Sequence, residues 1–167
     1  MTRAARVPSP SVDLAAFNAS PPDAAAATLL SWCASRRFAS LLAAGRPYPS
    51  ADAVEAAISS AFDALGWEDV AEALAGHPRI GARVTGQSAA EQSGVTDASR
   101  AALAAANADY EARFGHVFLI CAAGLSGEEM LAALRDRLAN TPFAERTMVT
   151  RELRQITVLR ARKALRP

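Results

Sequence analysis

Only two histidines occur in this chain of 167 residues, His77 and His116, so acid–base chemistry near neutral pH has few places to reside. His77 stands in the run Gly76-His77-Pro78-Arg79-Ile80-Gly81. Gly76 is placed to stop a helix in the left-handed conformation, and Pro78 keeps the residue before it out of helical geometry. The imidazole should therefore project from a helix end on extended backbone. A histidine that only caps a helix, or is buried at its end, has the same surroundings in sequence, and the local pattern does not separate the two.

Further along, Ser88-Ala89-Ala90-Glu91 fits a capping box, in which the carboxylate reaches back to the serine amide. The competing reading has Glu91 and Gln92 aiming a carboxylate and an amide at a polar ligand rich in amide groups. Arg160 lies among Ile156, Val158 and Leu159, so it either snorkels to the surface or carries its guanidinium to a buried acceptor. The stretch from His116 to Cys121 is the one β-prone segment. Too solitary for a sheet, it is expected to cross the core in extended form, with backbone groups that something must satisfy. Cys121 ends that stretch, and its apolar neighbours would raise its pKa and make it a poor nucleophile.

Other chemistries lack their parts. Neither Cys-x-x-Cys nor His-Glu-x-x-His spacing is present, and no Gly-x-Gly-x-x-Gly, phosphate loop or Gly-x-Ser-x-Gly elbow is found, so no metal and no cofactor site is expected. With 18 Lys and Arg against 17 Asp and Glu, the net charge of +1 provides no global field for nucleic acid or an anionic membrane. Apolar residues make up 51% of the chain, much of it alanine, and none of their runs reaches the roughly 18 residues of a membrane span. Cys33 and Cys121 are too few for a disulfide framework, which suits a reducing, cytoplasmic setting. Residues 1–12 carry basic residues, then Pro8 and Pro10 in place of an apolar core. They are expected to be a disordered leader and not a secretory signal, with a single helical domain over 13–167.

The elements that must position these residues are almost all helical. Ser20 before Pro21 and Pro22 opens a helix expected to continue to Gly45. Ser50 opens a second to Gly66, with Val54, Ile58, Phe62 and Leu65 on one face. A short helix covers Trp67 to Ala75. Residues 77–87 form a loop, expected to be pinned by tertiary contacts. Helices then start at Ser88, at Thr96 (to about Arg113, ended by Gly115), at Ser126 with Glu129 as a capping box, and at Thr141-Pro142. The last, about 24 residues and roughly 36 Å long, forms the spine. The expected fold class is all-α, a compact helical bundle of about seven to nine helices with one extended core-crossing segment.

Taken in series, His77-Pro78-Arg79-Ile80-Gly81, Ser88-x-x-Glu91-Gln92-x-Gly94, Phe114-Gly115-x-x-Phe118-x-x-Cys121 and Glu152-Leu153-x-x-Ile156-x-x-Leu159-Arg160 resemble the OHCU decarboxylase family over about residues 13 to 165. The resemblance implies cofactor-independent decarboxylation of 2-oxo-4-hydroxy-4-carboxy-5-ureidoimidazoline to (S)-allantoin, in urate degradation. It implies His77 and Glu91 as catalytic residues, and on chemical grounds His77 is expected to be oriented or kept charged by Glu91. Glu91 and Gln92 would hold the ureido and ring amides, and Arg160 would grip a substrate oxygen. Pro78, Ser88 and the backbone near Phe118 and Leu119 would be further substrate contacts. Many family members have an aromatic-Pro pair where this chain has His116-Val117; a structural role is expected for His116. A homodimer is expected, through the alanine-rich faces of the helices at 20–45 and 96–113. The alternative reading is a non-enzymatic interaction module of the same fold, which would need a large exposed apolar patch away from His77.

Overall fold

Helix starts in this chain are set by hydroxyl side chains that take up free backbone amides. Ser50 accepts from Ala53 N at 3.1 Å, Thr141 from Ala144 N at 3.2 Å, and Ser126 from Glu129 N at 3.1 Å while Glu129 reaches back to Ser126 N at 2.7 Å. The computed structural model describes residues 12–165, and among these it holds nine helices and no strand. They are α1 (Leu14–Ala19), α2 (Pro22–Trp32), α3 (Arg36–Ala44), α4 (Ala51–Ala64), α5 (Trp67–Ala75), α6 (Gly86–Glu91), α7 (Asp97–Phe114), α8 (Gly127–Arg137) and α9 (Pro142–Ala164). Among the described residues no helix is long and apolar enough to cross a membrane.

Three boundaries and one cap conformation differ from the sequence reading. The helix expected from Ser20 to Gly45 breaks at Cys33–Ser35, because Ser35 turns its hydroxyl onto Phe38 N and starts α3 afresh. The short α1, capped by Asp13, lies ahead of it. Gly76 ends α5 with φ −91°, not left-handed; Gly115 does adopt the left-handed form, at φ +76°. The helix expected from Ser88 begins at Gly86, so Ser88 lies inside α6 and its capping box does not form. The expected leader lies outside the described residues except for Val12, whose amide donates to the Ala164 carbonyl at 2.8 Å and so ties it to the end of α9.

Two hydrophobic clusters form the interior. In one, α9 packs on α4, α2 and α5, burying Phe17, Trp32, Phe38, Ile58, Phe62 and Leu153. In the other, α7 packs on α8, with Leu103, Tyr110, Phe118, Met130 and Leu134. The segment 117–122 is the seam between them. Extended backbone sends successive side chains to opposite sides, so Val117, Leu119 and Cys121 join the first cluster while Phe118, Ile120 and Ala122 join the second.

Lacking a sheet partner, the seam takes its hydrogen bonds from side chains. Arg137 Nη1 donates to the Leu119 carbonyl at 2.6 Å, and Glu152 Oε2 accepts from Cys121 N at 2.8 Å. Arg137 also stacks over the Phe118 ring, 4.5 Å from its centroid. Its charge is met by the fully buried Glu145, which accepts from Arg137 Nε at 2.8 Å, from Asn140 Nδ2 at 2.8 Å and from the Tyr110 hydroxyl. Burial and the neighbouring carboxylate both push the Tyr110 hydroxyl pKa up, so it stays a donor.

Removing the carboxylate would leave Arg137 buried and uncompensated. Glu145→Ala is therefore expected to lower the unfolding free energy by about 3–5 kcal/mol, read as a lower urea midpoint. An unchanged midpoint would contradict the role of this network in holding the seam.

Candidate active site

Between the two clusters lies one narrow cleft. It is lined by His77 and Pro78 after α5, Ile80 in the following loop, Ser88 and Glu91 of α6 with Gln92 just beyond it, residues 119–122 of the seam with Ala123 next to them, and Ile156, Leu159 and Lys163 of α9. Mostly apolar walls with a few convergent polar groups are the composition of a small-molecule site.

His77 is held from behind. Its Nδ1 lies 2.9 Å from the Ala73 carbonyl, which can only accept, so Nδ1 carries the proton. Nε2 is buried and has no hydrogen-bond partner. Burial lowers the imidazole pKa from 6.5; the Ala73 bond and Glu91 oppose this, while Arg160 adds to it. The ring is thus neutral at pH 7, with a lone pair at Nε2. This corrects the expectation that Glu91 orients the ring or keeps it charged: the Ala73 carbonyl orients it, and desolvation discharges it.

Glu91 is engaged elsewhere. Arg160 Nε donates to its Oε1 at 2.8 Å and Nη2 to its Oε2 at 2.9 Å, a bidentate pair joining α6 to α9 across 69 positions of sequence. The two side chains are 16% and 10% exposed, so solvent screens the pair little. Arg160 therefore meets a buried acceptor and does not snorkel. Its guanidinium stands behind Glu91 and lines a neighbouring cleft, not the one containing His77.

Gln92 fastens the loop. Its Oε1 accepts from Gly81 N at 2.9 Å, which leaves its amide nitrogen as a donor. Gly81 has φ +85°, and a Cβ there would meet the Leu103 side chain at 3.2 Å, so the turn requires glycine. Helix α7 completes the pinning expected for this loop: Asn107 Nδ2 donates to the Ile80 carbonyl at 2.8 Å, Arg100 to the Gly81 carbonyl, and Glu111 pairs with Arg79 at 2.5 Å.

Of the residues singled out in sequence, His77, Pro78, Ser88, Glu91, Gln92 and Leu119 share the cleft. Phe118 does not line it; the alternation of the seam turns its side chain into the second cluster against Tyr110. His116 lies in an aromatic group with Trp67, Tyr110 and Phe114, with its Nδ1 near the Val117 carbonyl. Burial raises the Cys121 pKa, then Glu152 raises it further, so this cleft-lining thiol stays protonated. Sequence reasoning missed Ile156, Leu159 and Lys163 as cleft residues; their spacing of three and four on α9 is the signal that one helical face serves the site.

A family model described as OHCU decarboxylase matches residues 18–162. The chain belongs to the OHCU decarboxylase family. A relative from Amia calva named 2-oxo-4-hydroxy-4-carboxy-5-ureidoimidazoline decarboxylase is 37% identical over 127 residues, covering 70% of this chain and 73% of that protein. The uric acid degradation bifunctional protein TTL of Arabidopsis thaliana is 34% identical over 143 residues, covering 78% of this chain; the match spans only 44% of that longer protein. A crystal structure of OHCU decarboxylase in the presence of (S)-allantoin superposes with a TM-score of 0.69 at 30% identity, covering 86% of this chain and 97% of the other. A crystal structure titled (S)-allantoin synthase shares the fold, with a TM-score of 0.71 at 19% identity over 92% of this chain and 54% of that one.

The lowered pKa of His77 has a measurable sign. Below pH about 6.5 the unfolded chain binds more protons at this position than the folded one, so acidification through that range costs stability. The stability of the wild type relative to His77→Gln is expected to shrink as pH falls, and nitrogen NMR should find the neutral ring protonated at Nδ1. An imidazole titrating above 6.5 would contradict the assignment.

Proposed function

We propose that this family member decarboxylates 2-oxo-4-hydroxy-4-carboxy-5-ureidoimidazoline to (S)-allantoin in urate breakdown, with the His77 cleft as its site. The observation that carries the reading is the buried, unpartnered Nε2 of a neutral His77, a residue that lines one cleft together with the carboxylate of Glu91 and the amide of Gln92. An acceptor left bare in such a place calls for a ligand donor, and the substrate's 4-hydroxyl is one.

The chemistry follows from the substrate. Breaking the bond between C4 and its carboxylate releases carbon dioxide, and the electron pair forms a double bond between C4 and C5 as the ring imine nitrogen takes up a proton from solvent. The substrate's own conjugation is the electron sink, so the proposed reaction draws on no cofactor. His77 Nε2 accepts the 4-hydroxyl proton as the C4 carbonyl forms and returns a proton to one face of C5, which fixes the (S) centre and leaves the imidazole neutral again. Each Glu91 oxygen accepts one Arg160 hydrogen and retains a lone pair for a ureido N–H, while the free Gln92 amide donates to a carbonyl. Arg160 thus acts as a positioning residue through Glu91. Pro78, Ser88 and Leu119 complete the walls.

The proposal keeps the homodimer and the cytoplasmic setting expected from the sequence. The interaction-module reading needs a broad apolar patch, whereas the large apolar side chains exposed among the described residues are Leu30, Leu41 and Phe143.

Generating the intermediate from urate enzymatically and following the optical activity of allantoin tests the reading. The wild type should yield (S)-allantoin faster than spontaneous decay. His77→Ala should lose roughly 10²–10⁴-fold in kcat with its helical circular dichroism intact. Racemic product at the uncatalysed rate from the wild type, or a fully active variant, would remove the claim.

A further inference from the structure

We propose that Lys163 binds the carboxylate that the substrate carries and the product lacks, and so sets the affinity for substrate without taking part in bond breaking. The inference rests on the decarboxylase reading above. It begins from the charges around the cleft. The guanidinium of Arg160 is committed to Glu91 by two hydrogen bonds, and His77 is neutral, its Nδ1–H spent on the Ala73 carbonyl. Glu152 stands beneath the seam, accepting from Cys121 N, and does not line the cleft. Lys163 is the lining cation left over: it borders the cleft from α9, and no carboxylate pairs with it among the described residues.

Its place on α9 explains why it points there. Ile156, Leu159 and Lys163 fall at i, i+3 and i+7 on one helical face, so two apolar side chains floor the cleft and an ammonium on a flexible stem closes the rim. Lys163 also lines the adjoining cleft that Arg160 borders, which puts it on the ridge between the two openings. An anion entering the site passes this charge first.

Physical chemistry limits what the contact can do. A carboxylate becomes neutral carbon dioxide as the bond breaks, so a cation beside it favours the ground state at least as much as the transition state. Such a group lowers KM and does not raise kcat. Because Lys163 is exposed, its attraction is screened by salt. The apolar floor of Ile156 and Leu159 then receives the departing carbon dioxide.

The test compares kcat, KM and inhibition by (S)-allantoin in the wild type, Lys163→Met and Lys163→Arg, with the intermediate generated in place. Lys163→Met is expected to raise KM roughly 3–10-fold with kcat within about twofold of the wild type. Lys163→Arg should restore most of the affinity, and added salt should raise KM in the wild type but not in the Met variant. Inhibition by (S)-allantoin, which has no carboxylate, should be the same in all three. An unchanged KM in an active Lys163→Met enzyme, or an equal loss of allantoin affinity, would overturn the role of Lys163 and leave the decarboxylase reading standing. A wild type without decarboxylase activity would remove both.

Discussion

Helix α6 is six residues long, has no side-chain cap and buries none of its own residues, so the ion pair between Glu91 and Arg160 is what secures it to the rest of the molecule. An isolated helix of that length does not form in water, because the cost of nucleation is not recovered in one and a half turns. Hydrophobic contact cannot hold it either. The bidentate pair, with Gln92 fastened to Gly81 just beyond, replaces the missing packing with directed polar bonds. Ser88, Glu91 and Gln92 reach the cleft only because α6 stays in that place.

Polar tethering recurs on the opposite wall. The seam has no ladder to complete its hydrogen bonds; Arg137 of α8 and Glu152 of α9 supply them, and Arg137 is held by Glu145 of α9, which Tyr110 of α7 and Asn140, between α8 and α9, also bond. Buried charges are costly, yet in this set every one is met, so they fix one register where apolar packing alone would tolerate sliding. The cleft is therefore bounded on two sides by segments whose positions depend on ion pairs. Its third side, Ile156, Leu159 and Lys163, belongs to the longest helix, whose far faces are buried in the first cluster.

Much of this was legible in the chain. Caps at Ser50, Thr96, Ser126 and Thr141 act through short-range bonds between neighbours, and each starts a helix where its pattern stands. The solitary extended segment was visible from its β-branched and aromatic residues in a helical protein. What failed depended on distant partners. Ser88-x-x-Glu91 has the form of a capping box, but the carboxylate finds a guanidinium on α9, a stronger partner than a backbone amide, and the cap is left unmade. The charge state of His77 was misjudged because its desolvation comes from tertiary burial, which no local pattern records.

Arg160 builds the site by holding Glu91, and amide hydrogen exchange on Arg160→Met tests this most directly. Loss of the pair should speed exchange at the Gln92 amide, bonded to the Ser88 carbonyl, and at the Gly81 amide, bonded to Gln92, while the amides of α4 and the middle of α9 remain as protected as in the wild type. Unchanged protection at Gln92 and Gly81 would mean that α6 stands without the pair, and that contacts other than this ion pair assemble the site.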